Sequence, residues 1–250
     1  MSGRACLALA VVLVLGASRS ASADPPGRFA LEMSGERYGL VGLKSTEAAQ
    51  LVVSTQDVTR PLVTLVSAFA SGKPVKRDVR LASGAVIRKT NEARLTSVRL
   101  PQLGSGGAAD VELAFAAAPL ATQPLLSAKE SPPLPAGARI ASFRVDVAGM
   151  KPIEAPKLDA VTLTQKADGS VVTGAIGFEA GAGGAPPFVA WQKSNGGRPG
   201  ARTVRIEYVG ADGAAILELQ LDRCTPSAVV PLGANGTTRI TLTCASARAS

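Results

Sequence analysis

Twice in this chain a short run with helical apolar spacing is followed by alternating strands separated by turn residues. In the clearer instance, 187–244, the only tryptophan sits in Phe188-Val189-Ala190-Trp191-Gln192-Lys193, and strands are expected over 203–209, 214–221 and 239–244. In the fainter one, Leu62, Leu65, Val66 and Phe69 recur at i, i+3, i+4 and i+7 after Pro61, which predicts two turns of helix closing at Gly72. Strands then follow at 77–81, 85–89, 94–100 and 110–115. The pieces correspond in order: Asp78-Val79-Arg80-Leu81 with Thr203-Val204-Arg205-Ile206, and Val111-Glu112-Leu113-Ala114-Phe115 with Ile240-Thr241-Leu242-Thr243-Cys244. On this register Leu100 and Phe115 take the places of Cys224 and Cys244. The pattern reads as an internal duplication.

Earlier in each half an opening strand is expected, at 29–33 and 140–147, and 160–166 and 171–178 form a hairpin across Asp168-Gly169. Between the halves, Pro119, Pro124, Pro132, Pro133 and Pro135 crowd one span and stiffen it. The expected organisation is a leader at 1–23, a first β domain at 24–117, a Pro-rich linker at 118–138 and a second β domain at 139–250. The fold class is mainly β: two tandem small β-barrel or sandwich domains, each with one short flanking helix. Aromatics are only 4 % of the 250 residues, so the cores must rest on small aliphatic side chains.

The leader is read from Arg4, the apolar run 5–15 and Ala21-Ser22-Ala23 before Asp24, which places signal cleavage between Ala23 and Asp24. The run is shorter than the ~20 residues a spanning helix needs. The expectation is therefore an exported protein, periplasmic or extracellular and not integral to a membrane. In that oxidising setting Cys224 and Cys244 form an even pair, and a disulfide between them is the favoured reading over two buried thiols.

The chain contains no histidine, which removes Ser-His-Asp and Cys-His arrangements and most zinc and copper sites. No catalytic residue, metal ligand or cofactor-binding residue is assigned. Glu32, Asp110, Glu112, Asp146, Glu207 and Glu218 could in principle pair for glycoside hydrolysis, but alternating strand positions are where solvent-facing charges ordinarily stand. The glycine runs 104–107 and 181–184 follow no strand-to-helix phosphate fingerprint. Trp191, beside Phe188, reads as core. The formal charge is +8, with Lys73, Lys76, Arg77, Arg80, Arg88, Lys89, Arg94 and Arg99 in the first half and Lys193, Arg198, Arg202 and Arg205 in the second. Such a surface attracts anionic polymers. It lacks the stacking aromatics or motifs of a specific nucleic-acid binder.

The opening strand Phe29-Ala30-Leu31-Glu32-Met33-Ser34-Gly35, and more loosely Phe143-Arg144-Val145-Asp146-Val147-Ala148-Gly149, resembles the F-x-L-x-(I/V)-x-G strand of contractile-phage tail tube proteins and the type VI secretion Hcp tube family. The Trp-bearing helix, the Arg-initiated strand from Arg202, the turn 210–213 and the closing strand 239–244 fit the same order. The resemblance implies a small β-barrel with one helix that joins neighbours into rings, three double chains imitating six units. The functional expectation is an exported, non-enzymatic structural or interaction protein with protein partners or self-association. The alternative is a binding module for an anionic envelope polymer.

Overall fold

A computed structural model describes residues 28–47, 49–83, 86–104, 109–124, 134–151, 153, 155–181, 183–232 and 236–250. The Ala23–Asp24 junction and residues 125–133 of the expected linker lie outside them, as does Asn235 of a possible glycosylation acceptor.

The first half opens with β1 (Arg28–Met33), which turns at Ser34-Gly35 into β2 (Glu36–Glu47), then β3 (Gln50–Thr55) and β4 (Asp57–Thr59). Helix α1 (Arg60–Ala70) starts where expected: Thr59 caps it by accepting from the Leu62 amide at 3.4 Å, and Pro61 occupies its first turn. Its apolar stripe Leu62, Leu65, Val66 and Phe69 is buried. There follow β5 (Lys76–Ser83), the long β6 (Val86–Leu100), β7 (Val111–Ala116) and β8 (Ala121–Pro124). Six of these strands close into a barrel in the order β6-β5-β1-β2-β3-β7 and back to β6. Closure needs β6 to change neighbours along its length: residues 86–94 pair with β5 and 94–99 with β7, with a register shift between Leu95 and Ser97. That shift bends the strand around the barrel. Two separate strands were expected where β6 runs unbroken, because the polar run Thr90-Asn91-Glu92 reads as a loop and here continues the sheet, with Thr90 buried and Asn91 and Glu92 exposed.

The second half contains β9 (Gly137–Val147), β10 (Lys157–Leu158), β11 (Val161–Gln165), β12 (Val171–Thr173), β13 (Ile176–Ala180), α2 (Ala185–Gly197), β14 (Arg202–Gly210), β15 (Ala215–Pro231), β16 (Thr238–Thr243) and β17 (Ser246–Ala249). Helical dihedrals in α2 stop before Ser194, and Asn195, Gly196 and Gly197 take left-handed φ of 50°, 67° and 84°, so the Asn-Gly-Gly stop acts as read from sequence. A second sheet runs β10-β13-β16-β15-β14-β9-β4, with β17 on β15. Here β15 changes neighbours as β6 does: 215–224 pair with β14 and 225–231 with β16.

Pairing crosses between the halves. Strand β4 joins β9, and the β11–β12 hairpin joins β6 through Val161↔Leu100 and Leu163↔Val98. A bridge with reciprocal amide bonds of 2.9 and 3.0 Å ties Leu103 to Leu158. The segment 118–138 includes β8 and the first two residues of β9. One buried cluster reaches from Phe29 to Ala247. Phe69 and Trp191 are both buried, yet their helices differ in what they cover: α1 packs on β2, β4 and β17, α2 on β15.

Cys224 and Cys244 form a disulfide between β15 and the end of β16, with Cα atoms 4.0 Å apart. In the first half the corresponding pair is Leu95 and Phe115, which face each other across β6–β7, and Leu100 instead meets Val161 on β11. The sequence register was thus five residues out at Leu100, because the bend in β6 comes earlier than its apolar pattern suggests. The bridge closes a loop of sequence separation 20, worth about 3 kcal/mol through the unfolded chain. A Cys224→Ala, Cys244→Ala double variant is expected to lose roughly that much in a urea titration, and reductant to have no further effect on it.

Candidate functional site

A cleft lined by both charged and apolar residues lies where the barrel meets β9. Its floor is β2 from Leu40 to Lys44, which carries a register shift between Leu43 and Ser45, and the end of β3. Thr55 fixes the turn into β4: its hydroxyl donates to the Leu40 carbonyl at 2.8 Å and accepts from the Asp57 amide at 3.1 Å. Asp57 then meets Arg139 of β9 at 3.3 Å. Backbone approach here is close enough that a Cβ on Gly137 would lie 2.8 Å from the Asp57 Cβ, so only glycine fits. On the other wall Lys44 stands 3.7 Å from Asp110 Oδ2, while Asp110 Oδ1 is buried without a partner. The cleft holds about 330 Å³. It presents cations and carboxylates in matched pairs, with no aromatic platform and no nucleophile beside a base. Lys44, Asp57 and Arg139 carried no sequence signal: packing of β2 on β4 brings the first two to the cleft, and the β4–β9 crossing adds Arg139.

The other carboxylates singled out from the sequence are engaged across strands. Glu32 lies between Arg37 at 2.9 Å and Arg80 at 3.0 Å, and Glu112 pairs with Arg99 at 3.3 Å. Asp146, Glu207 and Glu218 surround Arg205 at 3.2, 3.8 and 3.8 Å, and Glu207 also meets Arg144. The Glu32–Arg37 pair is largely buried, whereas the more exposed pairs are worth well under about 1 kcal/mol each and order the outer sheet face. Among the basic residues, Lys76 pairs with Glu92, and the Arg88 guanidinium lies 5.6 Å from the Phe29 ring. Lys73, Arg77, Lys89, Arg94, Lys193 and Arg198 are exposed.

Trp191 is core: it packs on Phe188, which meets Phe178 edge-on, and its indole donates to the Gly200 carbonyl at 2.7 Å. Arg202 lies over its ring at 5.2 Å and donates to the Ala148 carbonyl.

Both tyrosines are perturbed. Burial, reinforced by the bond it donates to Glu36, pushes Tyr38 up to about 12, and burial alone pushes Tyr208 up. The unfolded phenol ionises near ~10. Folding holds each neutral, so stability is full below that pH and is lost as pH rises through the folded values. Absorbance at 295 nm should therefore stay flat through pH 10 and rise together with unfolding; a reversible rise at pH 10 in the folded chain contradicts this. Asp222 is held below the usual range, chiefly by the Gln220 bond at 3.1 Å and then by Arg248, a pair that pins β17 to β15. Its contribution disappears as pH falls through that lowered value. Asp168 is likewise lowered by its bonds from Ser170.

Tyr208 presents the opposite situation to Asp222: its hydroxyl is fully buried and has no partner. An orphaned buried hydroxyl costs about 1–3 kcal/mol. Tyr208→Phe is expected to raise stability by about 1 kcal/mol, and a loss on denaturant titration would contradict the packing described.

No protein-family model matches the chain, and no curated protein matches it.

Proposed function

We propose that this is an exported, non-enzymatic structural or interaction protein built from two tail-tube-like β units in tandem, acting through contacts with other proteins. The observation that carries the reading is the recurrence of one pairing scheme. In both halves the opening strand pairs with the strand after the helix, which pairs with a long bent strand. That strand pairs next with the closing strand, and the chain then adds one more strand to its first segment. Leu95 with Phe115 and Cys224 with Cys244 fall at the same point in that scheme. Supporting it, Glu32, Glu112, Asp146, Glu207 and Glu218 are held by guanidinium groups across the sheets, and Asp110 meets Lys44.

Ring assembly is the extension implied by the resemblance, and the disulfide is compatible with an exported chain. Light scattering on a sizing column tests assembly: a discrete particle of three chains is the expected result, and a strict monomer at high concentration removes the ring.

A second reading, capture of an anionic polymer, is favoured by the surplus of basic side chains, of which Lys73, Arg77, Lys89, Arg94, Lys193 and Arg198 are exposed. Binding of a polyanion that weakens steeply with salt supports this reading, and no binding at low salt eliminates it.

A further inference from the structure

We propose that the edge of β15 over residues 225–231 is a docking slot for an extended strand from a different protein, one with aliphatic side chains at alternating positions and acidic flanks. The inference rests on the duplication proposed above and deepens it, because the equivalent slot in the first half is already filled within the chain.

Strand β6 shows what fills it. At residue 94 it pairs with β5 on one side and β7 on the other, and β8 takes 86–89 opposite β5. Beyond the start of β5 that side would be bare, and β11 covers it along 97–100. Val161 and Leu163 of β11 are buried there. The turn of the β11–β12 arm reaches the end of α1, where a Cβ on Gly72 would lie 3.8 Å from the Gly169 carbonyl.

Strand β15 has the same order of strand partners without a covering strand, and the helix packed on it is α2. β14 pairs with it as far as Cys224, and β16 and β17 lie together on the opposite side. Past Cys224, among the described residues, no strand takes the β14 side. The end of α2, matching Gly72, is open as well: a Cβ on Gly196, Gly197 or Gly200 would meet nothing within 4 Å. Within the slot stands Val230, 51 % exposed, and just past its end Leu232, 40 %, the exposed large hydrophobic residues of the described chain.

A second copy is a poor occupant. The single arm of each chain is taken by its own β6, and the first half passes directly from β2 to β3 without one. The chain is also strongly basic, with Arg223 exposed on β15 just before the slot and Lys193 and Arg198 exposed at the end of α2, so copies repel and an acidic segment is attracted. Strand addition gives affinity through the main chain and specificity through alternate side chains.

The probe is a synthetic peptide of residues 159–175, the arm itself, titrated into the isotope-labelled chain beginning at Asp24. Amide shifts at 225–231 and 196–200 are expected, with 97–100 unmoved. A Leu163→Asp peptide should bind at least tenfold more weakly, a Lys166→Glu peptide several-fold more tightly at low salt. Val230→Lys in the protein, an exposed position compatible with folding, should weaken both. No shift at millimolar peptide overturns the proposal, as do shifts confined to 97–100, which mean exchange of the arm in place. Shifts at 225–231 that grow with protein concentration alone assign the slot to a second copy and overturn the proposed occupant. Sizing of the free chain tests the broader reading separately.

Discussion

Phe115→Ala is expected to destabilise the chain by about 4 kcal/mol, the largest loss from any single truncation considered. Phe115 is fully buried on β7, opposite Leu51 of β3 and Leu95 of β6. It therefore sits on the strand that joins the two ends of the barrel wall, and both seams lose packing when the ring is removed. A small aliphatic core has few large side chains able to move into the void, so the cavity term is added to the lost transfer energy. Urea titration measures the loss. Hydrogen exchange should show β3 and β7 opening first, since their ladder bonds depend on that closure. A change below about 1 kcal/mol would mean the barrel is not held shut at this position.

Gly104→Ala is expected to cost about 3 kcal/mol, from two sources that a control separates. Gly104 has φ +85°, and a Cβ there would press on the Pro156 carbonyl oxygen and lie 2.9 Å from the Lys157 Cα. Backbone atoms cannot swing aside as a flexible side chain would, so the Leu103–Leu158 bridge must open. Gly35 has nearly the same φ, +84°, with nothing within 4 Å of its Cβ position. Gly35→Ala therefore reports the backbone strain alone, about 1 kcal/mol. The difference of about 2 kcal/mol is the contribution of the contact between the halves. Equal losses in both variants would show that this contact adds nothing.

The helices and most strands were legible because each rests on local signals: Pro61, the spacing of Leu62, Leu65, Val66 and Phe69, and Gly72 for α1, Asn195-Gly196-Gly197 for the end of α2, and Asp168-Gly169 for the arm. The disulfide was legible from parity and compartment. What lay beyond the sequence was long-range pairing. Nothing local to Val161 and Leu163 distinguishes a strand that stays with its own half from one that crosses to β6, since their alternation is satisfied equally by either partner. β2 was missed because Glu36-Arg37-Tyr38-Gly39 interrupts the apolar alternation, and Gly39 follows the left-handed side of the map at φ +114°. The cleft around Asp110 was illegible for a related reason: its four charged residues come from four separate segments, three joined by closure of the first half and Arg139 added by the crossing.

Scanning calorimetry tests the welding of the two halves most directly. With β4 in the second sheet, β11–β12 on the first, and one buried cluster shared between them, the chain from Asp24 should melt in one transition, its calorimetric and van't Hoff enthalpies agreeing. Two resolved transitions, or a calorimetric enthalpy near twice the van't Hoff value, would show that the halves unfold independently and contradict the account.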